Sequence, residues 1–145
     1  MQVKQISIFL ENKSGRLAEV TRLLGDNKID ISALSIADKT DYGILRLIVN
    51  KPEEAENILK EKDFAVSITT VIAIAVADRP GGLSEALSVL RDANIGIEYM
   101  YAFVGKASNE AMVILRVDDA EVDEAVNLLA KSGVKVLPPE FIYNL

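Results

Sequence analysis

The chain has 145 residues, half of them hydrophobic, a formal net charge of −6, no cysteine and no histidine. The two missing residue types exclude disulfides, thiolate metal sites, cysteine nucleophiles and the histidine-assisted base and zinc chemistry on which many small enzymes rely. The acidic balance opposes binding to nucleic acid or an anionic membrane surface, and the longest apolar run, residues 71–77, is too short to span a bilayer.

The opening residues Met1-Gln2-Val3-Lys4-Gln5 do not read as a secretory signal. The expectation is a soluble cytoplasmic protein with no cofactor and no metal. Ile6, Ile8 and Leu10 then alternate with Gln5, Ser7 and Phe9, the two-residue period of a strand. Leu17, Val20, Leu23 and Leu24 recur at helical spacing, with Ser14 as the expected N-cap and Gly25-Asp26-Asn27 as the stop. Residues 29–36 read as a second strand, 39–43 as a turn and 44–49 as a third strand. Lys51-Pro52-Glu53 opens a second helix, with proline where no N–H is needed, and Ala55, Ile58 and Leu59 give it one apolar face. Residues 64–68 close the unit as a fourth strand.

The same order then recurs. Gly15, Leu17, Leu24, Ile29 and Ile31 each have their like 66 positions on, at Gly81, Leu83, Leu90, Ile95 and Ile97. The offset is 68 at the next strand, where Leu47 and Val49 meet Leu115 and Val117, and 70 at the second helix, where Ala55, Leu59 and Val66 meet Ala125, Leu129 and Val136. The second half reads as strand 70–77, helix 83–93, strands 95–103 and 111–117, helix 120–131 and strand 134–137. The seam falls near residues 67–70, dividing the chain into repeats 1–68 and 69–145.

Strand, helix, strand, strand, helix, strand is the ferredoxin-like split βαβ plan, an α+β fold. A unit of this size has a thin core, so the expectation is two such repeats paired side by side into an eight-stranded antiparallel sheet with four helices on one face. Strand 70–77 carries Ile72, Ile74 and Val76 on one parity and Val71, Ala73, Ala75 and Ala77 on the other. A strand apolar on both faces is covered on both faces. With helices on one, the other points to a second copy and hence a homodimer.

Two strand-to-helix turns share one grammar: Asn12-Lys13-Ser14-Gly15-Arg16-Leu17 and Asp78-Arg79-Pro80-Gly81-Gly82-Leu83. The first N–H groups of a helix lack intrahelical acceptors and sit at the positive end of its dipole, a seat for a carboxylate. Arg16 reads either as a solvated surface charge or as an anion contact, and Asn12 and Asp78 either as turn residues or as ligand contacts. The acidic run Asp118-Asp119-Ala120-Glu121 matches no calcium-loop spacing and reads as helix N-terminal chemistry.

These turns, the Ile-x-Ile pairs at Lys28-Ile29-Asp30-Ile31 and Asn94-Ile95-Gly96-Ile97, and the duplication together resemble the ACT domain, in two tandem copies over nearly the whole chain. Ser14 stands where that family often has proline. The resemblance implies a non-catalytic regulatory protein that binds a free amino acid where the first turn of one module meets the second-strand start of another, and that acts on a metabolic enzyme. Carried over, it implies one site from Asn12, Ser14, Gly15, Arg16 and Leu17 with Asn94, Ile95, Gly96 and Ile97. It implies a second from Asp78, Pro80, Gly81, Gly82 and Leu83 with Asp30 and Ile31. The second presents two carboxylates, and its Pro80 has no N–H, so it is expected to be the weaker. The alternatives are a constitutive assembly module without ligand and a small ferredoxin-like acyl-phosphate hydrolase using Arg16 and Asn12.

Overall fold

The computed structural model describes residues 2–11, 14–38, 41–104 and 109–145. Among them run seven strands and five helices: β1 (Val3–Glu11), α1 (Arg16–Asp26), β2 (Ile31–Asp38), β3 (Tyr42–Val49), α2 (Pro52–Glu61), β4 (Ala65–Ala77), α3 (Gly82–Asp92), β5 (Ile97–Val104), β6 (Glu110–Val117), α4 (Val122–Lys131), β7 (Lys135–Val136) and α5 (Pro139–Tyr143). The chain folds as two compact units, Lys4–Thr69 with Glu140–Leu145, and Met1–Val3 with Thr70–Pro139.

The strand count corrects the expected eight. The strand that closes the first repeat and the one that opens the second are a single 13-residue strand, β4, with no turn between them. Residues 67–70 carry no glycine or proline to break the extended run. Four helices become five because α5 forms after the second repeat, with Ile142 fully buried and the Tyr143 hydroxyl accepting from the Lys4 N–H at 2.8 Å.

In the unit that begins at Lys4 the strands run β2-β3-β1-β4. β1 and β3 pair antiparallel with Ile6 opposite Leu47 and Ile8 opposite Leu45. This parity meets Val20 and Leu24 of α1 and Ala55 and Leu59 of α2 in one core, so both helices lie on one face of the sheet. Each such Leu or Ile stabilises the unit by roughly 1.5–3 kcal/mol through burial. The other parity of β1 contains a surprise for a strand read as polar on its outer side. Gln5 and Ser7 are buried, and the Gln5 amide donates to Ser7 Oγ at 3.1 Å, which bonds Thr69 Oγ1 at 3.0 Å.

The other unit repeats the plan as β5-β6-β4, with β7 on the free side of β4. Ile72, Ile74 and Val76 join Leu90 of α3 and Ala125 and Leu129 of α4 in its core. On the opposite parity of β4, Val71, Ala73 and Ala75 are buried as well, and Ala73 O accepts from the Leu137 N–H at 2.8 Å. Both faces of this strand are thus closed within a single chain, and the residues that pointed to a second copy do not call for one. The acidic run behaves as expected: Asp118 accepts from the Ala120 N–H at 2.9 Å and caps a 3₁₀ turn, Asp119–Glu121, that leads into α4.

Candidate functional site

Each repeat turns from its first strand into its first helix through a glycine in the left-handed region, Gly15 at φ 88°, ψ −10° and Gly81 at φ 86°, ψ −10°. An L side chain is strained there, so glycine is what lets the chain reverse and begin the helix in so few residues. The first backbone bonds follow, Glu19 N–H to Gly15 O at 2.9 Å and Glu85 N–H to Gly81 O at 3.0 Å. Gly15, not Ser14, is therefore the N-cap of α1, and no side chain caps it. With the left-handed residue at the cap itself, Ser14 lies one position too early and is exposed. Asn12 and Lys13 lie outside the described residues.

The two turns diverge at the next position. Arg16 is no freely solvated charge. Its side chain is 29% exposed, its Nη1 donates to Glu19 at 2.9 Å, and its guanidinium lies 4.7 Å from the centre of the Phe64 ring. Its Nε is buried and has no hydrogen-bond partner among the described residues. Gly82 stands at the matching place in α3, where a Cβ would come within 2.1 Å of the Ala77 carbonyl oxygen. No side chain fits at that place unless the backbone moves.

Arg16 and Phe64 line a cavity of about 420 Å³ together with Phe9, Tyr42, Glu11 and Asp63. Phe9 and Tyr42 are 51% and 40% exposed, with ring centroids 5.8 Å apart and tilted by 42°. The strand register accounts for the contact. Phe9 pairs with Ile44, and Tyr42 pairs with Glu11, so the two rings are diagonal neighbours on one face. Sequence reasoning selected Arg16 but not these aromatics, Glu11 or Asp63. Comparing the repeats position by position carries the signal, since Phe9, Tyr42, Asp63 and Phe64 face Ala75, Glu110, Gly133 and Val134.

The remaining candidates are ordinary in their local structure. Asn94 takes φ 59° and donates its N–H to Arg91 O at 2.9 Å, and Ile95 is a buried core residue whose N–H bonds Leu90 O. Asn94, Ile95, Gly96 and Ile97 line one shallow cavity of about 380 Å³ with Arg91. Gly81 and Leu83 line another of about 510 Å³ with Arg79 and Arg91. Leu17 is 39% exposed, while Ile31 and Leu83 pack against the two cores. Asp30, Asp78 and Pro80 are exposed; Asp30 N–H bonds Asn50 Oδ1 at 2.9 Å, and Asp78 N–H bonds Asn109 O at 2.7 Å. Among the described residues no helix is long and apolar enough to cross a membrane.

Comparison with known proteins agrees with this architecture. The ACT domain pair family matches residues 1–135. The crystal structure of protein BT0572 from Bacteroides thetaiotaomicron is 43% identical, covers 100% of this chain and 98% of its own, and superposes with a TM-score of 0.93. Regulatory subunits of aspartate kinase from Thermus thermophilus and Thermus flavus share the fold at 13% and 12% identity. Their TM-scores are 0.63 and 0.59, over 89% and 90% of this chain and 91% and 92% of theirs. No curated protein matches the sequence. With the family spanning nearly the whole length, the chain belongs to the ACT domain pair family.

Proposed function

We propose that this protein is a non-catalytic regulator that binds a free amino acid and passes its occupancy to a metabolic enzyme. The observation that carries the reading is the repeated turn. Gly15 and Gly81 hold nearly the same backbone angles and open α1 and α3 in a duplicated ACT fold, and of the first helical N–H groups that of Gly82 already bonds Arg79 O at 3.0 Å. That arrangement suits the carboxylate of a zwitterion, and amide and backbone oxygens suit its ammonium. Ser14, Gly15, Arg16 and Leu17, with Asn94, Ile95, Gly96 and Ile97, are the proposed ligand groups. Asp30, Ile31, Asp78, Pro80, Gly81, Gly82 and Leu83 are the weaker set, because Asp30 and Asp78 repel a carboxylate and Pro80 donates nothing. The aspartate kinase subunits that share the fold are regulatory subunits, which supports a regulated enzyme as the partner. A homodimer remains part of the proposal.

Binding can shift a regulated equilibrium only by the ligand's difference in affinity for its two states. The test is a thermal-shift screen of the common amino acids at millimolar concentration. A ligand present at 100 times its Kd stabilises the fold by about 2.7 kcal/mol, several degrees in a protein of this size. One class of amino acid is expected to raise the melting temperature, and none doing so would overturn the reading. The assembly-only alternative predicts instead an oligomer that no added amino acid changes.

A further inference from the structure

We infer that the cavity of the first repeat bounded by Arg16, Phe64, Phe9 and Tyr42 is a selectivity pocket for a carboxylate carried on an apolar or aromatic body with an adjacent ammonium, one per chain. The inference rests on the sensing function proposed above and narrows it to hydrophobic amino acids.

Three features converge within this one repeat. The first is a cation seated on an aromatic ring, Arg16 over Phe64 at 4.7 Å, whose buried Nε has no partner among the described residues. A guanidinium offers donors in a planar fork; Glu19 takes Nη1 and Nε is buried, so a ligand carboxylate would be met by Nη2. The second is an apolar wall of two exposed rings in mutual contact, Phe9 and Tyr42. Large aromatics exposed together at a cavity mouth mark a binding surface more often than scattered ones do. The third is a pair of carboxylates on the same rim, Glu11 and Asp63, of the charge an ammonium needs. At about 420 Å³ the space falls within the roughly 300–1,000 Å³ of ordinary small-molecule sites.

The duplication separates this set from packing that the fold itself requires. Core positions stay the same between repeats, as Leu24 and Leu90, Leu47 and Leu115, and Leu59 and Leu129 show. The pocket positions do not: Arg16, Phe9, Tyr42, Asp63 and Phe64 become Gly82, Ala75, Glu110, Gly133 and Val134. The second repeat folds to the same plan without them, and a Cβ at Gly82 would lie 2.1 Å from Ala77 O, so that position does not accept an arginine. Phe64 also serves the core, but the fold does not demand Arg16, Phe9 or Tyr42 beside it, and the second repeat has none of the three.

Isothermal titration of the full chain with L-phenylalanine, L-leucine, L-aspartate and 3-phenylpropionate tests the inference, alongside Arg16→Gln and the paired Phe9→Ser and Tyr42→Ser variants. The expected result is one phenylalanine or leucine per chain, bound at least tenfold more tightly than aspartate, with 3-phenylpropionate weaker than phenylalanine. Arg16→Gln is expected to weaken every one of these ligands tenfold or more. Phe9→Ser with Tyr42→Ser should erase the preference for apolar side chains, with the far-ultraviolet circular dichroism of each variant unchanged. Aspartate binding as well as phenylalanine, or phenylalanine binding unaltered in the serine variants, would overturn the pocket and leave amino-acid sensing standing. Binding of 3-phenylpropionate through Arg16 without binding of any amino acid would overturn sensing and keep the pocket's carboxylate and apolar parts. Silence from all four probes would overturn the pocket and leave sensing to be decided by the screen of the common amino acids.

Discussion

A Cβ placed on Gly82 would stand 2.1 Å from the carbonyl oxygen of Ala77, closer than any real contact of that kind. The helix α3 thus begins hard against the end of the strand before it. Gly82→Ala is expected to force the turn open and to cost at least about 2 kcal/mol, in the range of substitutions that collide with backbone. Gly25→Ala is the control. It lies inside α1 with nothing within 4 Å of its Cβ, and alanine there should stabilise by roughly 0.5–1 kcal/mol. Chemical denaturation of both variants checks the pair. A harmless Gly82→Ala would mean the turn has slack that the geometry denies.

Arg16 and Phe64 predict a different ranking. Phe64 is 5% exposed and belongs to the core that holds α1 and α2, so Phe64→Ala should cost about 3–5 kcal/mol. Arg16 contributes to stability only through its stack and one ion pair with Glu19, about 0.5–1 kcal/mol for a partly exposed cation on a ring. Arg16→Gln should therefore leave the melting temperature nearly unchanged. A loss comparable to that of Phe64→Ala would mark Arg16 as a structural residue.

Most of the fold was legible because its elements carry their period openly. Ile6, Ile8 and Leu10 alternate, Leu17, Val20 and Leu24 fall on one helical face, and both patterns recur with small offsets in the second half. The number of strands was not legible, because whether residues 65–77 form two strands or one depends on the absence of a break, and an apolar strand fits either case. The capping of α1 was misassigned because Ser14 has the right chemistry one residue early, and the left-handed angle of Gly15 decides the start. The pocket was half legible. Arg16 stood out by its place in the turn. Phe9, Tyr42 and Phe64 come together through the pairing of β1 with β3 and the entry to β4, which no local pattern encodes.

Arg116 and Asp119 predict a pH dependence. The guanidinium donates to Asp119 at 2.7 Å, to the Thr70 carbonyl at 2.8 Å, and lies 3.4 Å from Glu98. The hydrogen bond from Arg116, aided by its charge, holds the Asp119 carboxyl below its ordinary value of 3.8. A depressed carboxyl pKa in the folded state adds stability that is complete above the ordinary value and disappears as pH falls through the folded value. The gap in denaturation midpoint between the parent and Asp119→Asn should thus be present at neutral pH and close below about pH 3.8. A gap that widened on acidification would contradict the assignment. Arg116→Met should cost more than Asp119→Asn at neutral pH, about 1–3 kcal/mol, because it also strips the donor from the partly buried Thr70 carbonyl.

Ala73 tests whether the second face of β4 is closed by the chain itself. It is fully buried, and its carbonyl accepts from the Leu137 N–H. Ala73→Leu adds three heavy atoms at a fully buried position, which should cost about 1–3 kcal/mol by overpacking. Because the burial is internal, the loss should be the same at micromolar and at tenfold higher protein concentration, and light scattering should show the same mass for parent and variant. A face covered by a second copy behaves otherwise. Its stability rises with protein concentration by mass action, and an oversized side chain lowers the apparent mass before it lowers the melting temperature. The first pattern ties Ala73 to the core of one chain, and the second would return the strand to an interface.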